Sequence, residues 1–295
     1  MKLRAAISIL LLIPLIAFAQ GDPLREAYTK YQEGDLAGAR SEIEQAILLP
    51  ENKENAEAWL LQGFIYKDLF KSMAGSAEAE PLREQAINSL HKSIELDTEA
   101  AYRDNARQAY EYMARSYYND AARALNDMDA ERAVELFDAY VRTVKRIEPE
   151  VATVPREAEF QNALGTVYTK RFNKDRERID QFDLAVKAYE RVLQLDPGNY
   201  GANYNMATLF YNRGVYNIRS IKADDDIPSM QQIQEASKEY FQSALPYMLK
   251  AHDMKPDRRE TLIGLEGIYY SLQDQESADK FRKLFEELPP QDQDR

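Results

Sequence analysis

The chain contains no cysteine, only two histidines and one tryptophan, and little glycine (11) or proline (12) among its 295 residues. Without cysteine there is no disulfide, no thiolate metal site, no cysteine nucleophile and no lipidated N-terminal cysteine. The shortage of glycine and proline argues against a turn-rich all-β fold. Basic residues are also in deficit: 38 Lys and Arg face 50 Asp and Glu, a net charge of −12, which repels phosphate backbones and sets a nucleic-acid role aside. No G-x-S-x-G elbow, G-x-x-x-x-G-K-[ST] loop, G-x-G-x-x-G fingerprint or HExxH pair occurs. His91 and His252 lie far apart with no second histidine nearby, which reads as surface histidine on two helices. No cofactor, metal site or catalytic set is expected, and the chain reads as a binding protein and not as an enzyme. What is abundant is hydrophobic residue (44%) mixed with charge (30%), enough to bury a core without forming a membrane bundle.

The first nineteen residues read as a secretory signal peptide. Lys2 and Arg4 start it, an apolar run from Ala5 to Phe18 follows, and Ala17-Phe18-Ala19 supplies small residues at a cleavage site. The run is shorter than the roughly 20 apolar residues that span a bilayer. The mature chain is therefore expected to begin at Gln20 in an exported compartment, either the periplasm of a Gram-negative bacterium or the extracellular space, with no transmembrane helix left after cleavage.

The remainder is periodic. Apolar residues recur at helical spacing from Leu184 to Leu195, the pattern stops at Pro197-Gly198, and it returns from Ala244 to Pro256. Trp59, Gly63 and Tyr66 stand at the spacing W-x2-L-G-x2-Y, with Gln62 in the leucine position, and Leu164-Gly165 with Tyr168 repeats part of it. An alanine with a partner four residues on recurs six times: Ala39 with Ile43, Ala86 with Leu90, Ala133 with Phe137, Ala185 with Tyr189, Ala244 with Met248 and Ala278 with Arg282. On these residues the chain resembles the tetratricopeptide repeat (TPR) family, whose unit is two antiparallel helices, A and B. The resemblance implies an all-α, right-handed TPR-type helical solenoid of about twelve helices. It occupies 20–288, with repeats at roughly 21–52, 55–98, 99–150, 157–198, 200–257 and 258–288, and a polar tail at 289–295.

Small residues at the helix A crossing are expected at Ala27, Gly63, Ala121, Gly165 and Ala207. The sixth copy has Glu266 there and Arg282 in place of an aromatic, which suits a polar capping repeat. From crossing residue to helix B alanine the spacing is 12 residues in copies one, three and six, but 23, 20 and 37 in copies two, four and five. Three insertions between helix A and helix B follow, lengthening helices and adding loops. The longest holds Asp224-Asp225-Asp226-Ile227-Pro228, a solvated break rather than a calcium loop. Pro246 is expected to kink helix B of that copy or to divide it.

In TPR proteins, helix A positions 5, 9 and 12 face a groove. The register places Tyr28, Tyr31, Phe64, Tyr118, Tyr204, Tyr211 and Tyr270 there, with Asn162, Thr166 and Asn212 as polar companions. Tyrosine suits a peptide groove, because its ring buries apolar area while its hydroxyl bonds a passing backbone. The family's lysine and asparagine clamp for chaperone tails is not reproduced. A second candidate surface is the basic run Lys170, Arg171, Lys174, Arg176 and Arg178, set against Asp175 and Glu177. The expected function is a non-catalytic scaffold that holds a protein or peptide in its concave face. The alternative is a structural subunit of an envelope assembly that binds through solenoid edges and inserted segments.

Overall fold

The computed structural model describes residues 22–289, so the signal-peptide segment 1–19 and nearly all of the tail 289–295 lie outside the described residues. Among these residues there are twelve α-helices and one short 3-10 turn at Pro50–Asn52. The helices form six antiparallel pairs: α1 Pro23–Glu33 with α2 Leu36–Ala46, α3 Ala56–Ser72 with α4 Ala79–Leu96, α5 Arg103–Asn126 with α6 Ala130–Ile147, α7 Val154–Lys174 with α8 Ile179–Leu195, α9 Tyr200–Arg219 with α10 Ile227–Met254, and α11 Arg259–Ser271 with α12 Gln275–Glu286. The fold is all-α and of the TPR type. Contacts divide it into two compact units, one ending at Arg115 and the other beginning at Ser116, with the division falling inside α5.

Helix starts are set by short polar side chains. Asp22, Asp35, Asn55, Asp129, Asn199, Asp226 and Asp274 each accept a hydrogen bond from a backbone N–H of the first turn, which satisfies a donor the helix leaves free. The aspartate run at 224–226 is thus a cap. Asp226 accepts from the Ser229 N–H at 2.7 Å, and Asp225 accepts from the Lys222 N–H at 2.8 Å. Helix α10 begins at Ile227 and passes through Pro246 to Met254 as one helix, so Pro246 does not divide it. Buried Phe241, Ala244, Met248 and Ala251 hold the helix in place on both sides of the proline.

The crossing register holds throughout. Ala27, Ala39, Ala86, Ala121, Ala133, Ala185, Ala207, Ala244 and Ala278 are all fully buried. A Cβ added to Gly165 would sit 2.6 Å from the Tyr189 ring, and one added to Gly63 would sit 2.6 Å from Leu90, so glycine is what lets each pair of backbones approach. In the sixth pair the same two positions hold Glu266 and Arg282, joined by an ion pair of 2.7 Å across α11 and α12. Large side chains fill the space between pairs. Phe137 stacks on Phe160 at 4.1 Å between α6 and α7, and Phe182 meets Phe210 edge-on at 5.7 Å between α8 and α9. Fully buried Ile43, Leu90 and Ile268 each contribute about 1.5–3 kcal/mol of apolar burial. Neither histidine is fully exposed: His91 lies half-buried beside Tyr110, and His252, also half-buried, meets the Phe281 ring edge-on at 5.4 Å.

Candidate functional site

In the first unit, α1 and α3 place Tyr28, Tyr31 and Phe64 around one open cavity of about 640 Å³, together with Leu60, Glu57 and Tyr102. Tyr28 is 51% exposed. Tyr31 donates its hydroxyl to Asp68 at 2.6 Å; burial first, and then that hydrogen bond, raise its pKa, so the phenol stays protonated. The Lys67 ammonium stands 4.7 Å from the centre of the Phe64 ring. The result is an aromatic floor whose hydroxyl and ammonium groups are already oriented.

In the second unit, Tyr204, Tyr211, Asn212 and Tyr270 share a cavity of about 530 Å³ formed by α9 and α11, with Ile263, Glu260 and the Glu266–Arg282 pair on its walls. Tyr200 stacks on Tyr204 at 6.1 Å and points its hydroxyl at Glu260, 3.3 Å away. Burial and the Glu260 charge push the Tyr200 pKa up to about 12. A Cβ on Gly267 would lie 2.8 Å from the Tyr211 hydroxyl oxygen, so this glycine leaves room for that group. Tyr270 is 64% exposed and also lines a neighbouring cavity of about 530 Å³ with Val215, Ile218 and Phe241. One ring therefore stands between two hollows, with the exposed Ile218 on one side and the exposed Ile263 on the other.

The remaining groove candidates are not among the residues that line these cavities. Tyr118 on α5 donates to Glu159 at 3.0 Å and lies 5.0 Å from the Arg156 guanidinium; burial and the Glu159 bond push its pKa up to about 12. Asn162 accepts from Asn205 at 3.4 Å, and Thr166 donates to the Asn162 carbonyl at 3.0 Å, close to the Tyr189 hydroxyl. By contrast, Tyr66 and Tyr168 are 4% and 7% exposed and fill the space between helices.

The basic run does not act as one cluster. Arg171 is bound to Glu131 at 2.8 Å, an ion pair that holds the Glu131 pKa down to about 2, and Arg178 is bound to Asp180 at 2.8 Å. Lys170 and Lys174 are exposed, while Arg176 is half-buried against Phe172. The sequence reading missed Leu60, Tyr102, Glu260 and Ile263 in the cavities, and Arg213 beside Arg176. Leu60 shares α3 with Phe64, and Glu260 and Ile263 share α11 with Tyr270, so helical periodicity could have found these three; Tyr102, just before α5, and Arg213 on α9 belong to other helix pairs, where no local pattern reaches. Among the described residues no group of three or more His, Asp or Glu is placed to hold a metal ion, and no helix is long and apolar enough to cross a membrane.

No family model matches the chain. No curated protein matches it either. Similar solved structures include PilW, a type IV pilus biogenesis factor (15% identity, 88% of this chain and 89% of that chain, TM-score 0.36). YrrB, a TPR protein with an unusual peptide-binding site, is another (16% identity, 85% and 93%, TM-score 0.36). A third is a human IFIT1 dimer with m7Gppp-AAAA (15% identity, 90% and 59%, TM-score 0.36). At such identities these are likenesses of helical architecture and assign no role to the chain.

Proposed function

We propose that this protein is an exported, non-catalytic TPR scaffold that holds a protein or peptide partner in its aromatic helix A grooves. The observation that carries this reading is the convergence of Tyr204, Tyr211, Asn212 and Tyr270 on one open cavity, repeated in kind by Tyr28, Tyr31 and Phe64 in the first unit. Such hollows offer ring faces for apolar side chains and polar groups for an extended backbone. They hold no nucleophile with an adjacent base, which favours binding over catalysis. Export to the periplasm of a Gram-negative bacterium rests on the apolar run closing at Ala17-Phe18-Ala19.

The test has two steps. The mature protein should begin at Gln20 on N-terminal sequencing, and a partner captured from envelope extract should then bind Tyr204→Ala and Tyr211→Ala more weakly, by about 1 kcal/mol or more each, with melting curves little changed. Unchanged affinity in both variants would reject the groove, and retention of Met1 would reject export.

A further inference from the structure

The α7–α8 loop and the second half of α9 bring together two guanidinium groups that form no ion pair with a carboxylate among the described residues. The Arg176 guanidinium lies 4.9 Å from the centre of the Phe172 ring and 5.8 Å from that of Tyr216. The Arg213 guanidinium lies 5.7 Å and 5.6 Å from the same two rings, and 6.0 Å from Tyr240. Arg213 also donates through Nη1 to the Arg176 carbonyl at 3.3 Å, which ties the loop to α9. Two cations therefore share one pair of rings, and Arg176 Nη1 and Arg213 Nε are buried with no hydrogen-bond partner among the described residues.

The nearby acids accept from donors other than these two guanidinium groups. Glu177 accepts from the Tyr216 hydroxyl at 3.2 Å, Asp175 accepts from the Glu177 backbone N–H at 3.1 Å, and Asp180 pairs with Arg178. Elsewhere in this acidic chain arginines find carboxylates, as Arg40 does with Glu44, Arg191 with Glu157 and Arg282 with Glu266. Like charges held together are unfavourable; burial, and then the Arg213 charge, lower the Arg176 pKa accordingly. The aromatic faces offset part of that repulsion, and a guanidinium lying against a ring still offers in-plane donors in a fork that fits a carboxylate.

We infer that Arg176 and Arg213 form a carboxylate-binding site for an acidic peptide segment of a partner, with Lys170 and Lys174 extending the positive surface along α7. The two lysines are exposed and four residues apart on one helix face, so the positive charge is spread over more than one small anion can span. Aspartate or glutamate side chains in sequence would meet the arginine fork and the lysines together. This site is separate from the tyrosine grooves and does not depend on them.

Fluorescence anisotropy of the full mature chain with labelled hexaglutamate, at low and at high salt, tests it. Arg176→Gln with Arg213→Gln should weaken binding at least tenfold, Lys170→Gln with Lys174→Gln about two- to threefold, and Tyr204→Ala not at all. Lys187→Gln, an exposed charge on α8, is the matched control and should change nothing. If the double glutamine variant does not fold by circular dichroism, Arg176→Lys with Arg213→Lys keeps the charge but removes the fork, and should still lose most of the affinity. The inference is overturned if the arginine variants bind as the wild type does, or lose no more than the Lys187 control. Saturable binding of inorganic phosphate without binding of hexaglutamate would overturn it too, leaving a small-anion site.

Discussion

The short-turn helix pairs (α1–α2, α5–α6 and α11–α12) and the long-loop pairs (α3–α4, α7–α8 and α9–α10) reach the same antiparallel crossing by different means. In each short-turn pair a residue of positive φ, namely Gly34, Met128 or Gln273, is followed at once by a capping aspartate: Asp35, Asp129 or Asp274. The aspartate N–H returns to a carbonyl five residues back, at 2.9, 2.8 and 3.0 Å. This left-handed turn fixes where helix B leaves helix A. In the long-loop pairs, connections at 73–78, 175–178 and 220–226 fix no such angle, and the crossing does instead: Gly63 lies under Leu90, Gly165 under Tyr189 and Gly214 under Phe241. A helix pair can be aimed by its turn or by its contact surface, and this chain uses both devices.

The largest expected effect falls on the contact-aimed pairs. Tyr189 is 1% exposed and is held by Thr166 and Thr169, so Tyr189→Ala should cost about 3–5 kcal/mol, the usual range for deleting a buried ring. Arg282→Ala, at the equivalent position of a turn-aimed pair, removes an exposed ion-pair partner and should move the urea midpoint far less. Equal losses would mean that the two classes of pair are held in the same way.

A middle-sized effect tests the register. Ala185→Leu places bulk at a fully buried crossing and should cost about 1–3 kcal/mol by overpacking, whereas Ser243→Leu, exposed and beside the Ala244 seam, should stay within about 0.5 kcal/mol. Matching melting temperatures would contradict the crossing.

The smallest effect should have opposite signs in two turns of one geometry. Gly34 has φ 80° and Gln273 has φ 63°, a region that costs a side-chain-bearing residue roughly 1 kcal/mol. Gly34→Ala should therefore destabilise by about 1 kcal/mol. Gln273→Gly should stabilise by somewhat less, because glycine also loosens the unfolded chain. Losses in both variants, measured by urea unfolding, would show that the turns do not set the short pairs.

Much of this was legible in the amino-acid order. The recurring alanine with its partner four residues on located helix B in all six pairs, and the 12-residue spacing separated the three pairs closed by the left-handed turn from the three that are not. These are local regularities, imposed by the 3.6-residue period and by the need for small side chains where backbones meet. That Pro246 does not divide α10, and that the histidines are partly covered, could not be read in the same way for the opposite reason. Whether α10 tolerates a proline, and whether His252 meets water or Phe281, depends on which helix lies against it.

The candidate sites divide along the same line. Tyrosines at helix A positions could be picked out from periodicity alone, since a register assigns every residue a face. That Tyr204, Tyr211, Asn212 and Tyr270 meet in one hollow while Tyr118 is taken up by Glu159 depends on neighbouring pairs. So does the dispersal of the basic run: Arg171 is claimed by Glu131 forty residues earlier, while Arg176 is left beside an arginine on the next helix pair. The sequence by itself determined the helices, their pairing and the class of surface they present, because those follow from short-range period and side-chain size. Only the tertiary structure decided which aromatic rings share a cavity and which charges stay unpaired, because those depend on contacts between residues far apart in the chain.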